Sequence, residues 1–230
     1  MPFNYIQVPP QSTGLKVDTA ELTNGSNTVE RQVAVIGDAI TAANVATVNA
    51  GKALNVSLDG ISSATYRAVC APFSAGTSAT TAIATITGSA TKTVRVTKVS
   101  VSSTTATAAV YYDLQLNKTS AAHTGGTPVV ATVVPLDSNF AAGTATVNAY
   151  TAAPTSGSAV GVVDSTRVFS PITGTPALGP QPYTFVFPAF GNSALVLRGI
   201  AQELEVRINA VTPANAQTWD IVFEWVEDAS

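Results

Sequence analysis

Few residues of this sequence have the types and spacing that chemistry requires. His123 is the only histidine, and its neighbours include no cysteine or second histidine that would complete a zinc site or a general-base pair. We therefore expect an exposed loop histidine. Cys70 is the only cysteine. Val69 and Ala71 beside it are typical of a strand, so we expect a buried small side chain rather than a nucleophile.

Two carboxylates share one face of a predicted strand, because Glu203 and Glu205 are two residues apart. Such a pair could act in acid–base chemistry or bind a hard cation such as calcium. The sequence favours a solvated strand face instead. Arg207 extends the row with the opposite sign, and no Asp-rich calcium-binding loop is present.

The remaining polar candidates have ordinary structural interpretations. Glu224, Glu227 and Asp228 predict an acidic and exposed end of the chain. The stretch Gly157 to Gly161 is the closest to a phosphate-binding glycine loop, but a strand rather than a helix is predicted after it. No Gly-x-Ser-x-Gly motif is present. We expect no catalytic residue, no cofactor and no metal ligand.

One concentration of aromatic residues lies among prolines, at Tyr183, Phe185 and Phe187. An aromatic row of this kind could stack on a sugar or form a subunit contact. Its period of two residues favours packing in a core.

The composition indicates a subunit of an assembly. Hydrophobic residues make up 46% of the 230 residues and charged residues 11%, with a formal net charge of −3. A surface with so little charge is poorly protected against association. No basic stripe suggests nucleic-acid binding, and no apolar run suggests a signal peptide or a membrane span. A single cysteine allows no disulfide within the chain, which is compatible with a reducing cytoplasm.

From residue 66 onward, short alternating segments separated by Gly, Pro, Ser and Asn predict antiparallel strands. The clearest are Val110 to Asn117 and Trp219 to Trp225. The alternation slips within Val94 to Val101, which predicts a β-bulge near Thr97 and Lys98. Together with residues 203–208, further strands are expected at 66–73, 82–87, 129–134, 144–151, 159–169, 183–187 and 194–199. We therefore expect an all-β fold, an antiparallel β-sandwich of jelly-roll type.

Residues 1–65 differ in their pattern of apolar residues from the sandwich domain predicted at residues 66–230. A turn is predicted at Thr23 to Asn27 between two short apolar stretches. The segment has too few large apolar residues to fold well alone, so we expect an extended N-terminal arm that adds strands to the sandwich or to a neighbouring subunit. The residues expected to make this interaction are Leu15, Val17, Leu22, Val29, Val33, Val35 and Ile36.

Several short stretches of the sequence together carry a resemblance to a known group of proteins. In the arm these are Val17 to Gln32 and Ile36 to Asp38. In the main domain they are Tyr66 to Cys70, Ile86 to Lys92, Tyr150 to Thr155, Leu195 to Gly199 and Trp219 to Trp225. Together they resemble structural proteins of tailed-phage virions. The resemblance implies a role in assembly and transfers no binding residues.

We therefore expect a bacteriophage virion structural protein, namely a capsid decoration or cement protein that binds the outer capsid surface and stabilises the shell. Its expected partners are the major capsid protein and copies of itself in a homotrimer, with no nucleic acid and no membrane. It would be assembled in the host cytoplasm and reside in the virion. The alternative is a tail, fibre or baseplate protein that binds a host surface glycan. An enzyme using Glu203 or Glu224 is disfavoured, because neither carboxylate has a recognisable partner to set its pKa.

Overall fold

The computed structural model describes residues 19–24, 27–32, 63–75, 81–105, 109–172, 181–189, 191, 193–209 and 217–229. For the first two of these ranges only the backbone is described. The chain divides into two compact units, Met1–Ser57 and Leu58–Ser230. All the secondary structure of the described residues is β. No helix suited to crossing a membrane was found among them.

A β-hairpin is the described part of the first unit. Strands β1 (Thr19–Asn24) and β2 (Asn27–Gln32) pair antiparallel, and Leu22 lies opposite Val29 in the ladder. Asn24 pairs with Asn27 at its end, so the two strands are joined within the stretch where the sequence predicts a turn. The other five residues predicted to interact lie outside the described residues, namely Leu15, Val17, Val33, Val35 and Ile36.

The second unit contains two six-stranded sheets, and the first sheet carries the polar sites described below. Its strands are β4 (Ala82–Thr87), β6 (Val110–Thr119), β7 (Thr127–Val130), β9 (Thr146–Ala152), β10 (Ala159–Ser170) and β13 (Glu203–Asn209). Their order across the sheet is β10-β6-β13-β4-β9-β7, and every pairing is antiparallel.

The second sheet is also antiparallel throughout. Its strands are β3 (Ala64–Ser74), β5 (Lys92–Thr105), β8 (Val133–Pro135), β11 (Tyr183–Val186), β12 (Leu195–Arg198) and β14 (Gln217–Ala229). The order is β11-β5-β14-β3-β8, and β12 pairs with β5 beside β11. The all-β class and the two antiparallel sheets predicted from the sequence are therefore confirmed.

One hydrophobic core lies between the two sheets. Alternation along β14 buries four large side chains completely, since Trp219, Ile221, Phe223 and Trp225 are each 0% exposed. Tyr112 of the first sheet meets Trp219 of the second with ring centroids 5.7 Å apart. Removing a side chain of this size from water stabilises the fold by about 1.5–3 kcal/mol, so these residues hold the sheets face to face.

The β-bulge predicted near Thr97 and Lys98 is confirmed. In the ladder between β5 and β14, Glu224 lies opposite Lys98 whereas Trp225 lies opposite Val96. Thr97 is thus the extra residue. Its hydroxyl donates to the Glu224 carbonyl oxygen over 3.1 Å, and its insertion allows the valines on both sides of the bulge to face the core.

The single strand predicted at residues 129–134 is wrong. The chain leaves the first sheet after β7 and enters the second sheet as β8, so that these two strands form the edges of different sheets. The Ala131 amide, directly after β7, still donates to the Val147 carbonyl over 2.9 Å, whereas the Leu136 amide, directly after β8, donates to the Thr65 carbonyl over 2.8 Å. Local sequence does not reveal this change of partner, because β7 is exposed on both faces and carries no alternation that marks its end.

A core substitution tests the shared core. Leu114 of β6 is fully buried, whereas Leu136 after β8 is half exposed. We expect Leu114→Ala to lower the free energy of unfolding by about 2–5 kcal/mol, because it removes buried methyl groups and leaves a cavity. The matched control Leu136→Ala should stay within about 0.5 kcal/mol of the parent chain. Urea denaturation measures both, and equal losses would contradict the assignment of the core.

Candidate functional site

The outer face of the first sheet is partly covered by two loops. One joins β6 to β7 (residues 120–126) and the other joins β9 to β10 (residues 153–158). Thr124 and Thr155 exchange two backbone hydrogen bonds, of 3.1 and 2.8 Å. Gly157 lies so close to the first loop that a Cβ there would be 1.8 Å from the Ala121 carbonyl oxygen. Only glycine therefore allows this approach of the two loops.

His123, in the first of these loops, inserts between the two carboxylates of β13. Its Nδ1 is paired with Glu203 Oε2, and its Nε2 lies 2.7 Å from Glu205 Oε2. The His123 backbone amide also donates to Glu203 Oε2 over 2.9 Å. The imidazole and the Glu205 side chain are both 0% exposed. We call His123, Glu203 and Glu205 the imidazole clamp.

Neighbouring strands satisfy the remaining carboxylate oxygens of the imidazole clamp. The Thr87 hydroxyl of β4 donates to Glu203 Oε1 over 2.7 Å. The Asn117 amide of β6 donates to Glu205 Oε1 over 2.6 Å, and Arg207 Nη1 lies 3.4 Å from the same oxygen. All four carboxylate oxygens therefore have partners, as buried charges require.

The strand register explains why these side chains meet. Glu205 of β13 lies between Asn117 of β6 and Thr85 of β4, and Glu203 lies opposite Thr87. Leu204 and its alternating neighbours point into the core, so the polar residues of all three strands share the outer face. The β6–β7 loop then brings the imidazole over this row.

The pKa values of His123 and Glu203 shift in opposite directions from their ordinary values. Burial is the largest single influence on His123 and opposes its protonation, but the hydrogen bonds and charges of Glu203 and Glu205 outweigh it and raise the pKa to about 9. For Glu203 the influence of burial is again the largest and raises the pKa, but the bonds from His123 and Thr87 lower it overall. At neutral pH the site therefore holds an imidazolium against the Glu203 carboxylate.

This arrangement is suited to fixing a loop. A general acid or base must reach a substrate, whereas the imidazole is closed to solvent and both of its nitrogens are occupied. Each nitrogen is directed at a different carboxylate, and among the residues that the structure describes no His, Cys, Asp or Glu group is arranged to hold a metal ion. The imidazole clamp ties the β6–β7 loop to β13.

Two of the sequence-based expectations are wrong here. His123 is not an exposed loop residue, and Glu203 and Glu205 do not form a solvated strand face, because the β6–β7 loop covers them. The expectation that Arg207 supplies the opposite sign beside them is confirmed. The sequence feature that could have indicated a loop folded onto the sheet is the pair of glycines, Gly125 and Gly126, shortly after His123. Gly126 has a φ of +71° and packs against Ala152 and Pro154, as expected of a loop that turns back onto the sheet.

A second buried carboxylate ties another loop to the second sheet. Glu227 is 5% exposed and accepts bonds from the Thr144 and Ala145 backbone amides, at 2.8–3.0 Å. The Thr144 hydroxyl donates over 2.8 Å and Trp225 Nε1 over 3.0 Å. The sequence-based expectation of an exposed acidic end is therefore wrong for Glu227.

Two further acidic residues of β14, Glu224 and Asp228, are engaged in partly exposed ion pairs. Glu224 pairs with Arg67 at 2.5 Å and with Lys98 at 3.1 Å. Asp228 pairs with Arg95 at 2.6 Å. Such pairs at a surface contribute little to stability, and they leave no free carboxylate row at this end of the described residues.

The expectation for Cys70 is confirmed, and that for the aromatic row holds in part. Cys70 is buried in the core, where burial raises the pKa of its thiol to about 12. Phe185 is buried and Phe187 packs against the core. Tyr183 is 39% exposed and meets the edge of Phe185, with ring centroids 4.8 Å apart.

The imidazole clamp predicts a pH-dependent stability. The pKa of His123 rises from 6.5 to about 9 on folding, so its contribution is complete below about pH 6.5 and is lost as the pH rises through about 9. The shift corresponds to a loss on the order of 3 kcal/mol. For Glu203 the pKa falls below 4.5 on folding, so its contribution is present above that value and is lost at lower pH.

The variant His123→Gln separates the contribution of His123 from that of Cys70, whose thiol also titrates at alkaline pH in the unfolded chain. Cys70 is present in both proteins, so its contribution is the same in each. Urea denaturation between about pH 6 and pH 9.5 should show a steeper loss of stability in the parent chain than in the variant. Parallel curves for the two proteins would contradict the assignment of a buried imidazolium.

Comparison with known proteins provides no relative from which a role could be transferred. No protein-family model matches the chain, and neither a curated protein nor a solved structure matches it. The residues, their contacts and the sequence resemblance described above are therefore the basis for proposing a function.

Proposed function

We propose that this chain is a non-enzymatic structural protein of a bacteriophage virion, a decoration or cement protein that binds the outer capsid surface and stabilises the shell. We call the two-sheet sandwich of the second unit the body. The observation that carries the proposal is that apolar side chains are exposed along the edge strands of the body, whereas its buried polar groups serve structural roles. The resemblance of the sequence to tailed-phage virion proteins identifies the kind of assembly.

One apolar edge follows β10, the outermost strand of the first sheet. Residues 159–165 of this strand are exposed throughout, although Val160, Val162 and Val163 lie among them. Val160 is 63% exposed. The outer backbone groups of an edge strand have no partner within the sheet, so an apolar edge of this kind is suited to pairing with another chain.

A second apolar edge follows β7 and β8 on the opposite side of the body. Val130 of β7 is 66% exposed, and Val134 of β8, Leu136 and Val69 of the adjacent β3 are about half exposed. A free monomer that exposed both edges in water would be prone to association. Two such edges on opposite sides allow each copy to contact two neighbours, as the proposed homotrimer requires. Head-to-tail contacts of this kind close into a ring when the rotation between copies permits it.

We propose that the sandwich is a jelly roll, and the strand order supports this. Eight strands in chain order, with β11 and β12 counted as one, are β3, β4, β5, β6, β10, β11/β12, β13 and β14. They form the two four-stranded arrays β3-β14-β5-β11/β12 and β4-β13-β6-β10. Apart from β6 and β10, which pair within one sheet, consecutive strands alternate between the sheets. This order is compatible with the double Greek key of jelly rolls, an architecture used in viral capsid and lectin domains.

In this proposal residues 1–65 are an extended arm that anchors the body to the major capsid protein or to a neighbouring copy. The described hairpin of β1 and β2 shows that part of this segment pairs as strands. Strand addition to an exposed edge provides backbone hydrogen bonds without requiring a pocket. The protein then resides in the virion and contacts the major capsid protein and copies of itself.

Localisation on the particle tests the proposal directly. Antibody raised against the body and visualised by negative-stain electron microscopy should label the capsid surface of virions, in positions that follow the symmetry of the shell. Mass photometry of the purified protein, whose chain has a mass of 23.4 kDa, should show an oligomer of three copies in solution. Label confined to the tail or baseplate would reject the decoration role and favour a tail component.

Deletion of residues 1–40 tests the arm separately. The truncated chain should lose binding to shells of the major capsid protein, because the anchoring segment is gone, while the body still unfolds cooperatively at a temperature close to that of the full chain. Cosedimentation with shells and circular dichroism measure the two properties. A truncated chain that still decorates shells normally would reject the anchoring role of the arm.

A further inference from the structure

An open polar groove crosses the outer face of the first sheet, beyond the imidazole clamp. Strands β6, β10 and β13 provide its lining, and its volume is about 280 Å³. The residues that line it are Asp113, Gln115, Ser165, Thr166, Arg167 and Asn209. The groove and the imidazole clamp share Arg207 as a neighbour, which donates to Gln115 and lies close to Glu205.

Several polar groups of the groove are held in place by their neighbours. Arg167 binds Asp113 through two bonds, Nε to Oδ1 at 2.6 Å and Nη2 to Oδ2 at 3.1 Å. Arg207 donates twice to Gln115 Oε1, at 3.1 and 2.9 Å, which leaves the Gln115 amide nitrogen free to donate. Among the described residues the half-buried Asn209 side chain has no hydrogen-bond partner. The planar groups of Asp113, Arg167 and Gln115 are thus preorganised to bind hydroxyl groups.

An aromatic surface lies beside the groove on the same face. Tyr111 is 63% exposed and rests against Phe169, with ring centroids 5.1 Å apart. Tyr111 precedes Asp113 by two residues, so the two side chains point the same way at a separation of about 7 Å. That spacing is close to the width of one sugar ring, so a ring resting on Tyr111 would bring its hydroxyls to Asp113 and Arg167.

The charge of the groove favours an uncharged ligand. Asp113 and Arg167 neutralise each other, and the guanidinium of Arg207 lies beside the Glu205 carboxylate. A phosphate or nucleic-acid site would require an excess of positive charge, and an apolar ligand would cover the Gln115 amide nitrogen and the Asn209 amide without providing them a partner. A ligand with many hydroxyl groups and one apolar face satisfies both the polar groups and Tyr111.

We propose that this groove binds a neutral saccharide, with one sugar ring resting on Tyr111 and its hydroxyls bound by Asp113, Arg167, Gln115 and Asn209. This activity goes beyond the structural role and does not depend on it. A decoration protein standing on a shell would present the groove to glycans at a cell surface. The same chemistry would bind a free polysaccharide.

Titration of the full chain with saccharides tests the proposal. The probes are maltohexaose, cellohexaose, chitohexaose and mannohexaose, with polysialic acid and a heparin oligosaccharide as anionic comparisons. Isothermal calorimetry and saturation-transfer NMR should detect at least one neutral oligosaccharide, with a dissociation constant on the order of 1 mM. Absence of binding by every neutral probe at about 10 mM, or binding of the anionic probes alone, would overturn the proposal.

Variants locate the binding. Tyr111→Ala and Asn209→Ala should each weaken it by about tenfold or more. The matched control Tyr183→Ala removes another exposed tyrosine, on the second sheet, and should leave the affinity unchanged. Asn209→Ala does not alter the aromatic pair, so it remains informative if Tyr111→Ala perturbs the fold. Binding that survives both groove variants, or that is lost equally in the control, would show that the groove is not the site.

Binding to an immobilised cell-surface glycan is compared with binding to the soluble oligosaccharide, because a chain that binds only the immobilised glycan identifies the cell surface as the source of the ligand. Binding to both ligands, with the same loss of affinity for each in Tyr111→Ala, supports a single saccharide site. A chain that binds the immobilised surface but loses no affinity in either groove variant would overturn the assignment.

Discussion

Burial of one face of each sheet constrains every other part of the body. The core has no disulfide and depends on side-chain packing, above all on the two tryptophans of β14 and on Tyr112 opposite them. Because the inner faces are fully committed to each other, binding and attachment are restricted to the outer faces and the edges of the sheets. The imidazole clamp, the polar groove and the apolar edges all lie in these places.

The outer face of the first sheet combines two different polar surfaces within a few strands. At one end the β6–β7 loop closes over Glu203 and Glu205, and the charges there are satisfied internally. At the other end no described loop covers the face, and Asp113, Gln115 and Asn209 line an open groove. Arg207 lies between the two surfaces. The same alternation of strand residues therefore yields a structural cluster where the β6–β7 loop covers it and, among the described residues, an open groove at the other end.

Periodicity predicted the inner faces well, because alternation depends only on which side of the strand a residue occupies. The buried rows of β6, β13 and β14 and the bulge at Thr97 follow from it directly. Periodicity does not reveal what covers the other side. His123 and Glu203 are 80 residues apart, and Glu227 meets Thr144 from 83 residues away, so these contacts depend on the folding of loops over the sheet. The switch from β7 to β8 escaped prediction for a related reason, since all four residues of β7 are exposed and no alternation marks where the chain leaves the first sheet.

The single cysteine has a practical consequence. Cys70 lies on β3 within the core, facing the opposite sheet, and its thiol is both shielded and held in the protonated form. A thiol reagent can reach it only when the two sheets separate or β3 detaches. The natural chain thus contains one internal chemical reporter of opening, so that the rate of labelling on intact particles and on the free protein would compare how strongly assembly suppresses the breathing of the sandwich.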